Sequence, residues 1–200
     1  MHNGEMYILI KECAEIRTGQ TFKNSPQQSP EGDLRVIQPR DLEEGRLIQP
    51  VRVVSSGIPA LQNHLLKPGE ILIANKGTKL GTFLYKGEPA RAIATASFFV
   101  LSPKPLILPS YLNWYLNQPP ARAYFAQRSS GSTIPSITKS VINELAIPIL
   151  PLAQQRHIDA VLKESIHEQA LLQLLAECKR KFCNSYIWEQ IIAEAHETKN

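Results

Sequence analysis

The sequence predicts an α+β protein: a globular mixed α/β domain over residues 1–152, followed by one long helix over residues 153–200. Two observations carry this. All fifteen prolines lie at or before Pro151, spaced so that the first part breaks every few residues into short strands, turns and brief helices. From Gln154 onward there is neither proline nor glycine, and the composition turns to Leu, Ala, Glu, Gln and Lys. With 43% hydrophobic residues, the chain is long and apolar enough for a sizeable core.

Taken in order, residues 7–17 read as a short amphipathic helix or strand ending at Gly19. Residues 23–33, KNSPQQSPEGD, are polar and proline-rich and form a surface loop. Leu34 to Gln38 alternates as a strand does. Asp41 to Gly45 suits a helical turn, and Leu47 to Val54 a second strand. Leu65 to Glu70 is a turn feeding the apolar run Ile71–Ala74, a buried strand. Residues 75–81 are a loop. Thr82–Tyr85 and Ala92–Leu101 are strands, Ser110–Asn117 has helical spacing, and Ala121–Gln127 is a second helical piece. Ser136 is placed to cap a short helix over 137–143. Leu145–Leu150 is strand-like, and a proline break at Pro151 leads into the long helix, single or two in series.

In that helix Ile158, Leu162, Ile166, Ala170, Leu174, Cys178, Phe182 and Tyr186 are apolar and four apart. A repeat of four drifts around a helix of about 3.6 residues per turn, so the apolar surface spirals. Residues 170–176, ALLQLLA, are apolar on nearly every side, which a helix alone in water does not leave exposed. The helix is also longer than a domain of 150 residues is wide. It therefore needs a partner helix, most simply from a second copy, with Ile158, Leu162, Ile166, Leu171, Leu174, Leu175 and Phe182 at the contact.

Net charge is +4, but residues 1–152 hold +5 and residues 153–200 hold −1. The basic excess sits on the domain and is compatible with a phosphate-facing surface. No stretch approaches the roughly 20 apolar residues of a membrane helix, and the N-terminus lacks the basic start and apolar core of a secretory signal. A cytoplasmic protein is expected. Cys13, Cys178 and Cys183 have no metal-type spacing, and the five histidines do not cluster, so no metal and no cofactor is expected. Asn117-Gln118-Pro119-Pro120 approaches the N-P-P-Y motif of amino-methyltransferases, but a glutamine intrudes, no aromatic follows, and no glycine-rich cofactor loop accompanies it.

Three segments suit nucleic acid. Loop 75–81 has two glycines and two lysines directly after a buried strand, so that backbone amides, Lys76, Thr78 and Lys79 can meet a phosphate. It also suits a solvated β-turn. Arg128, Ser130, Ser132 and Thr133 offer charge and small hydroxyls for close approach to a DNA backbone, or form a loop that caps the next helix. Gln38 and Arg40 follow a strand, and such side chains make bidentate contacts to adenine and guanine edges. With Asp41, Arg40 equally suits a surface ion pair.

Several motifs in order resemble one half of a type I restriction-modification specificity subunit. They are Ala14-Glu15-Ile16-Arg17-Thr18-Gly19, then Arg35 to Leu42 with Gly45 and Ile48. Leu66 to Ala74 follows with Lys76-Gly77-Thr78 and Gly81, then Gly131-Ser132-Thr133, and last Ile147-Pro148 through Gln155 and Ile158. The usual subunit of that family has two target-recognition domains, with long helices that lie antiparallel as a ruler between two half-sites. This chain has one domain and one helix, like half-length subunits that pair head-to-tail. The resemblance implies a homodimer with an antiparallel coiled coil, reading a palindromic, bipartite site in double-stranded DNA. It implies DNA methyltransferase subunits and a motor-nuclease subunit as partners, and no chemistry in this chain. Three rivals remain: a truncated methyltransferase, a recognition subunit or fragment of another DNA-modification defence system, and a helical interaction protein that binds no DNA.

Overall fold

Residues 7–18 form three pieces in the computed structural model, which describes residues 6–43, 46–48, 50–58, 60–77, 81–130 and 135–197. They are strand β1 (Tyr7–Leu9), a single turn α1 (Ile10–Cys13) and strand β2 (Ala14–Thr18). One uninterrupted element cannot serve here, because β1 and β2 pair in different sheets. The turn buries Ile10 and Cys13, three apart, and is capped by the Leu9 N–H donating to Glu12 Oε2 at 2.6 Å.

Strand β3 (Leu34–Ile37) is where the alternation places it. The expected helical turn over 41–45 is instead a 3₁₀ turn over Pro39–Asp41, because Pro39 presets the first helical φ; Gly45 lies outside the described residues. The second strand, expected as continuous over 47–54, is two: β4 (Leu42–Glu43) pairs with β5 (Arg46–Leu47), and β6 (Val51–Val53) joins β3. Pro50, which has no N–H for a ladder, stands between them. After the short helix α2 (Leu61–His64) come β7 (Ile71–Ala74), β8 (Thr82–Leu84), β9 (Ala92–Ala94) and β10 (Phe98–Pro103).

Among the described residues two sheets organise the domain. One is antiparallel with order β2-β10-β7-β8; the other has order β6-β3-β9, with β3 and β9 parallel. Strand β7 is buried on both faces, which explains its unbroken apolar sequence. Alternation sorts the core. Ile37, Leu72, Ala92, Ala94, Phe98 and Val100 share one cluster, while Leu34, Val36, Val53 and Ile93 form a second on the other side of the smaller sheet.

Gly19 sits where β2 leaves its sheet. A Cβ there would fall inside contact distance of the Ala94 and Thr95 carbonyl oxygens, which are backbone and cannot yield cheaply. Gly19→Ala is expected to cost about 3 kcal/mol and to lower the melting temperature by about 5–10 °C, read by circular dichroism.

A buried carboxylate locks the start of β7. Glu70 Oε2 accepts from Arg17 Nη2 at 2.7 Å and from the Lys67 N–H at 2.9 Å, and Glu70 Oε1 accepts from Ser102 Oγ at 2.8 Å. Three elements thus meet on one side chain that is 5% exposed. Nearby His64 is held below the ordinary histidine pKa by burial and by the Arg17 charge.

The helices α3 (Pro109–Leu116) and α4 (Pro119–Arg128) begin on prolines at their first turns. Thr82 Oγ1 donates to Asn113 Oδ1 and accepts from Asn117 Nδ2, tying α3 to β8. Helix α5 (Lys139–Asn143) is capped by Thr138, whose hydroxyl accepts from the Val141 N–H at 3.3 Å, and not by Ser136. Ser136 is occupied elsewhere, as described below. Strand β11 (Ala146–Pro148) then returns to pair antiparallel with β1.

Helix α6 (Leu152–Glu197) is one continuous element of 46 residues, about 70 Å at 1.5 Å per residue. The chain divides into two compact units, residues 1–156 and 157–200. The first turn of α6 belongs to the first unit because Gln155 is fully buried there. Gln155 Oε1 accepts from the Leu108 N–H at 2.7 Å, and Nε2 donates to the carbonyls of Leu150 at 2.7 Å and Leu106 at 3.2 Å. In the second unit, Val161, Ile166, Leu171, Leu174, Leu175, Phe182 and Tyr186 are exposed.

Candidate nucleic-acid interface

Two of the three candidate segments are joined by backbone hydrogen bonds. Where β7 ends, the Gly77 N–H donates to the Pro135 carbonyl at 2.9 Å, and the Ile137 N–H donates to the Asn75 carbonyl at 3.0 Å. Ser130 and Ser136 exchange a pair of bonds at 2.9 and 2.8 Å. Residues 75–77, 130 and 135–137 therefore form one small ladder, with Lys76 and Ser130 both paired to Ser136. Gly77 has φ +116°, a region glycine enters without strain, so the loop can turn sharply after Lys76.

Lys76 and Ser130 are exposed on this ladder. Arg128 is exposed at the end of α4, its guanidinium 4.0 Å from the centre of the Tyr124 ring. That cation–π contact fixes the direction of the charge and leaves its N–H groups available. Thr78, Lys79, Ser132 and Thr133 lie outside the described residues.

The third segment shares a backbone frame with the other two. The Thr95 N–H donates to the Ile37 carbonyl at 3.0 Å, next to Gln38. Asn75 is tied to the same turn: its N–H donates to Ser97 O at 2.9 Å and its Nδ2 to Ala96 O at 2.8 Å. Residues 95–97 thus hold the ends of β3 and β7 together. At the first of these ends Asp41 is 6% exposed, and it accepts from the Gln38 N–H at 2.8 Å. Burial pushes the Asp41 carboxyl above its ordinary pKa, with the Gln38 N–H and Arg40 opposing. Arg40 is exposed, its Nε 3.9 Å from Asp41 Oδ1. The Arg–Asp pair is present, at a distance that leaves the guanidinium free to reach another anion.

The arrangement offers cations, hydroxyls and amide groups. Among the described residues no three His, Cys, Asp or Glu side chains are placed to hold a metal ion. Cys13 is buried, which pushes its thiol up to about 11 and leaves little thiolate at neutral pH. Among the described residues no helix is long and apolar enough to cross a membrane.

The family model for the type I restriction modification DNA specificity domain matches residues 6–176. The chain belongs to this family. Three solved structures resemble this specificity domain. One comes from work on complex assembly and conformational transition of the type I restriction-modification system, at TM-score 0.64 and 22% identity, covering 86% of this chain and 42% of that one. The HsdS subunit from Thermoanaerobacter tengcongensis matches at TM-score 0.61 and 20% identity, over 86% of this chain and 40% of that one. The type I restriction-modification S subunit from M. genitalium matches at TM-score 0.61 and 18% identity, over 90% and 44%. These likenesses bear out the fold class, an α+β domain with a long C-terminal helix. This chain spans about two fifths of the length of the solved chains it matches. No curated protein matches it significantly.

Sequence reasoning missed Asn75 and Thr95 as parts of the site. Each follows directly on a run of buried strand residues, and a polar residue at the carboxyl end of such a run was the signal available.

Proposed function

We propose that this chain is a non-catalytic DNA-sequence-reading subunit of a type I restriction-modification system, working in the cytoplasm. Residues 1–152 read one half-site in double-stranded DNA. Residues 153–200 pair with the helix of a second copy in an antiparallel coiled coil that sets the gap between half-sites. Methyltransferase subunits and a motor-nuclease subunit act where the dimer directs them. The observation that carries this reading, beside family membership, is the ladder joining the Lys76 loop to the Ser130 segment, which presents a lysine and a hydroxyl from separate elements on one surface.

The helix contact would use Ile158, Leu162, Ile166, Leu171, Leu174, Leu175 and Phe182. Ile158 and Leu162 are half-buried; the other five are more than half exposed, which is a surface that association would cover.

Incubation of the full chain with randomised DNA duplexes, with and without candidate modification subunits, followed by sequencing of the retained DNA, tests the reading. A split palindrome with a fixed gap is the expected result. Retention without any enriched motif in either condition, lost steeply with salt, would reject it. Lys76→Glu is expected to weaken binding similarly on all sequences and to reduce the slope of log K against log salt by about 1. An unchanged slope in a filter-binding titration would remove Lys76 from the phosphate contacts.

A further inference from the structure

Four strands are followed by polar residues: Gln20 after β2, Gln38 after β3, Asn75 after β7 and Thr95 after β9. Register brings them together. In the parallel pair β3–β9, Val36 stands beside Ile93 and Ile37 beside Ala94, so Gln38 continues the ladder beside Thr95. Thr95 also bridges in parallel to Gln20. Gln20, Thr95 and Gln38 thus form a row across three segments, with their side chains on one side. Asn75 meets the next residue along, Ala96, through its Nδ2.

Gln20 spends its amide on the Thr21 carbonyl at 3.0 Å. The others do not. Gln38 Nε2, Thr95 Oγ1 and Asn75 Oδ1 are shielded from solvent and have no hydrogen-bond partner. Unmet buried polar atoms are costly and uncommon. Of five among the described residues, three lie in this one place. Such clustering marks a functional site better than a packing fault, because packing faults have no reason to collect at adjoining strand ends.

Gln38 has a fixed backbone and an unmet amide nitrogen. Its N–H is pinned by the Asp41 carboxylate at 2.8 Å, whereas its inward Nε2 forms no hydrogen bond that rotation outward would break. Exposed cations flank the place: Arg40 on the same turn, and Lys76 next to Asn75.

Resting on the sequence-reading role proposed above, we infer that Gln38 is a base-reading side chain stowed inward in the free protein, and that Thr95 and Asn75 line the recess its amide leaves. The ligand chemistry is the major-groove edge of adenine: Nε2 donates to N7 and Oε1 accepts from the N6 amino group, a pairing no other base offers. Rotation outward gives the amide its missing partner and opens Thr95 Oγ1 and Asn75 Oδ1 to water or to the same base.

The test compares motifs selected from random duplexes by the wild-type chain, Gln38→Glu and Gln38→Met, each with the modification subunits and each checked for its melting temperature. Glutamate keeps the acceptor oxygen and replaces the donor with a second acceptor; methionine keeps the length and loses both donor and acceptor. In both variants adenine enrichment at one position of each half-site is expected to fall about tenfold or more, with the other positions and the gap unchanged. The methionine variant, which removes an unmet polar group, is expected to melt no lower than wild type. A wild-type motif that neither folded variant alters overturns the assignment. So does a methionine variant that melts much lower with its motif intact, since the amide then serves a structural water. A wild-type chain that enriches no motif rejects the sequence-reading role itself, and this assignment falls with it.

Discussion

With Leu171, Leu174 and Leu175 changed together to lysine, the chain is expected to sediment as a single 22.4 kDa species, and the wild type, on the proposed pairing, at twice that mass. The three leucines are 52%, 57% and 58% exposed on α6, and a fourfold spiral of apolar residues continues on either side of them. Three ammonium groups there cannot be buried against a second helix without losing their hydration. On the proposed reading, a separated copy holds only one half-site. Binding to a split site would fall about 100-fold or more, because the second contact is no longer intramolecular. Binding to an isolated half-site, and the melting of residues 1–156, would stay as they were. A wild-type chain already monomeric at micromolar concentration, and with modification subunits present, would sink the dimer.

Glu70→Ala is expected to cost as much stability as Gly19→Ala, by a different route. Its carboxylate is the shared acceptor of the Arg17 guanidinium, the Lys67 N–H and the Ser102 hydroxyl, and it is 5% exposed. Removing it leaves a half-screened cation and two donors without partners. Breaking a buried pair from one side costs about 3–5 kcal/mol. The Arg17 side chain is 28% exposed and can still reach water, so about 3 kcal/mol is the expected value. Glu70→Gln, which keeps an acceptor, is expected to lose about half as much. Urea denaturation at neutral pH reads both. Equal losses in the two variants would show that charge, not hydrogen bonding, sets the effect.

The same carboxylate shows why some of the domain was illegible in the sequence. Glu70 follows Pro68-Gly69 in a turn and reads as a surface residue; its burial is decided by Arg17, 53 positions earlier. Gln155 likewise lies in a polar run, Gln154-Gln155-Arg156, yet is buried by the Leu106 and Leu108 backbone, 47 and more positions away. Apolar runs behave otherwise. Ile71–Ala74 and the proline-free stretch from Leu152 are set by local composition, and they appear in the structure where the pattern placed them. Residues 7–18 are intermediate: their amphipathic character was visible, but the break at Ile10 follows from pairing with β11 and β10, which local pattern does not encode. In the site, glycines and lysines marked the loops. The ladder that joins 75–77 to 130 and 135–137 was not marked, because Ser136 reads equally well as a cap.

β1 lies antiparallel to β11, with Tyr7 opposite Pro148. The polypeptide therefore comes into the first unit and leaves it through a single ribbon. A unit whose two ends meet behaves as a cassette: it can be set into a longer chain, or repeated along one, with its interior undisturbed. The solved chains that resemble it are more than twice as long, room enough for a second such cassette and its helix. On the proposed role, replacing one cassette by another at that ribbon is expected to change the sequence read and leave the gap between half-sites as it was.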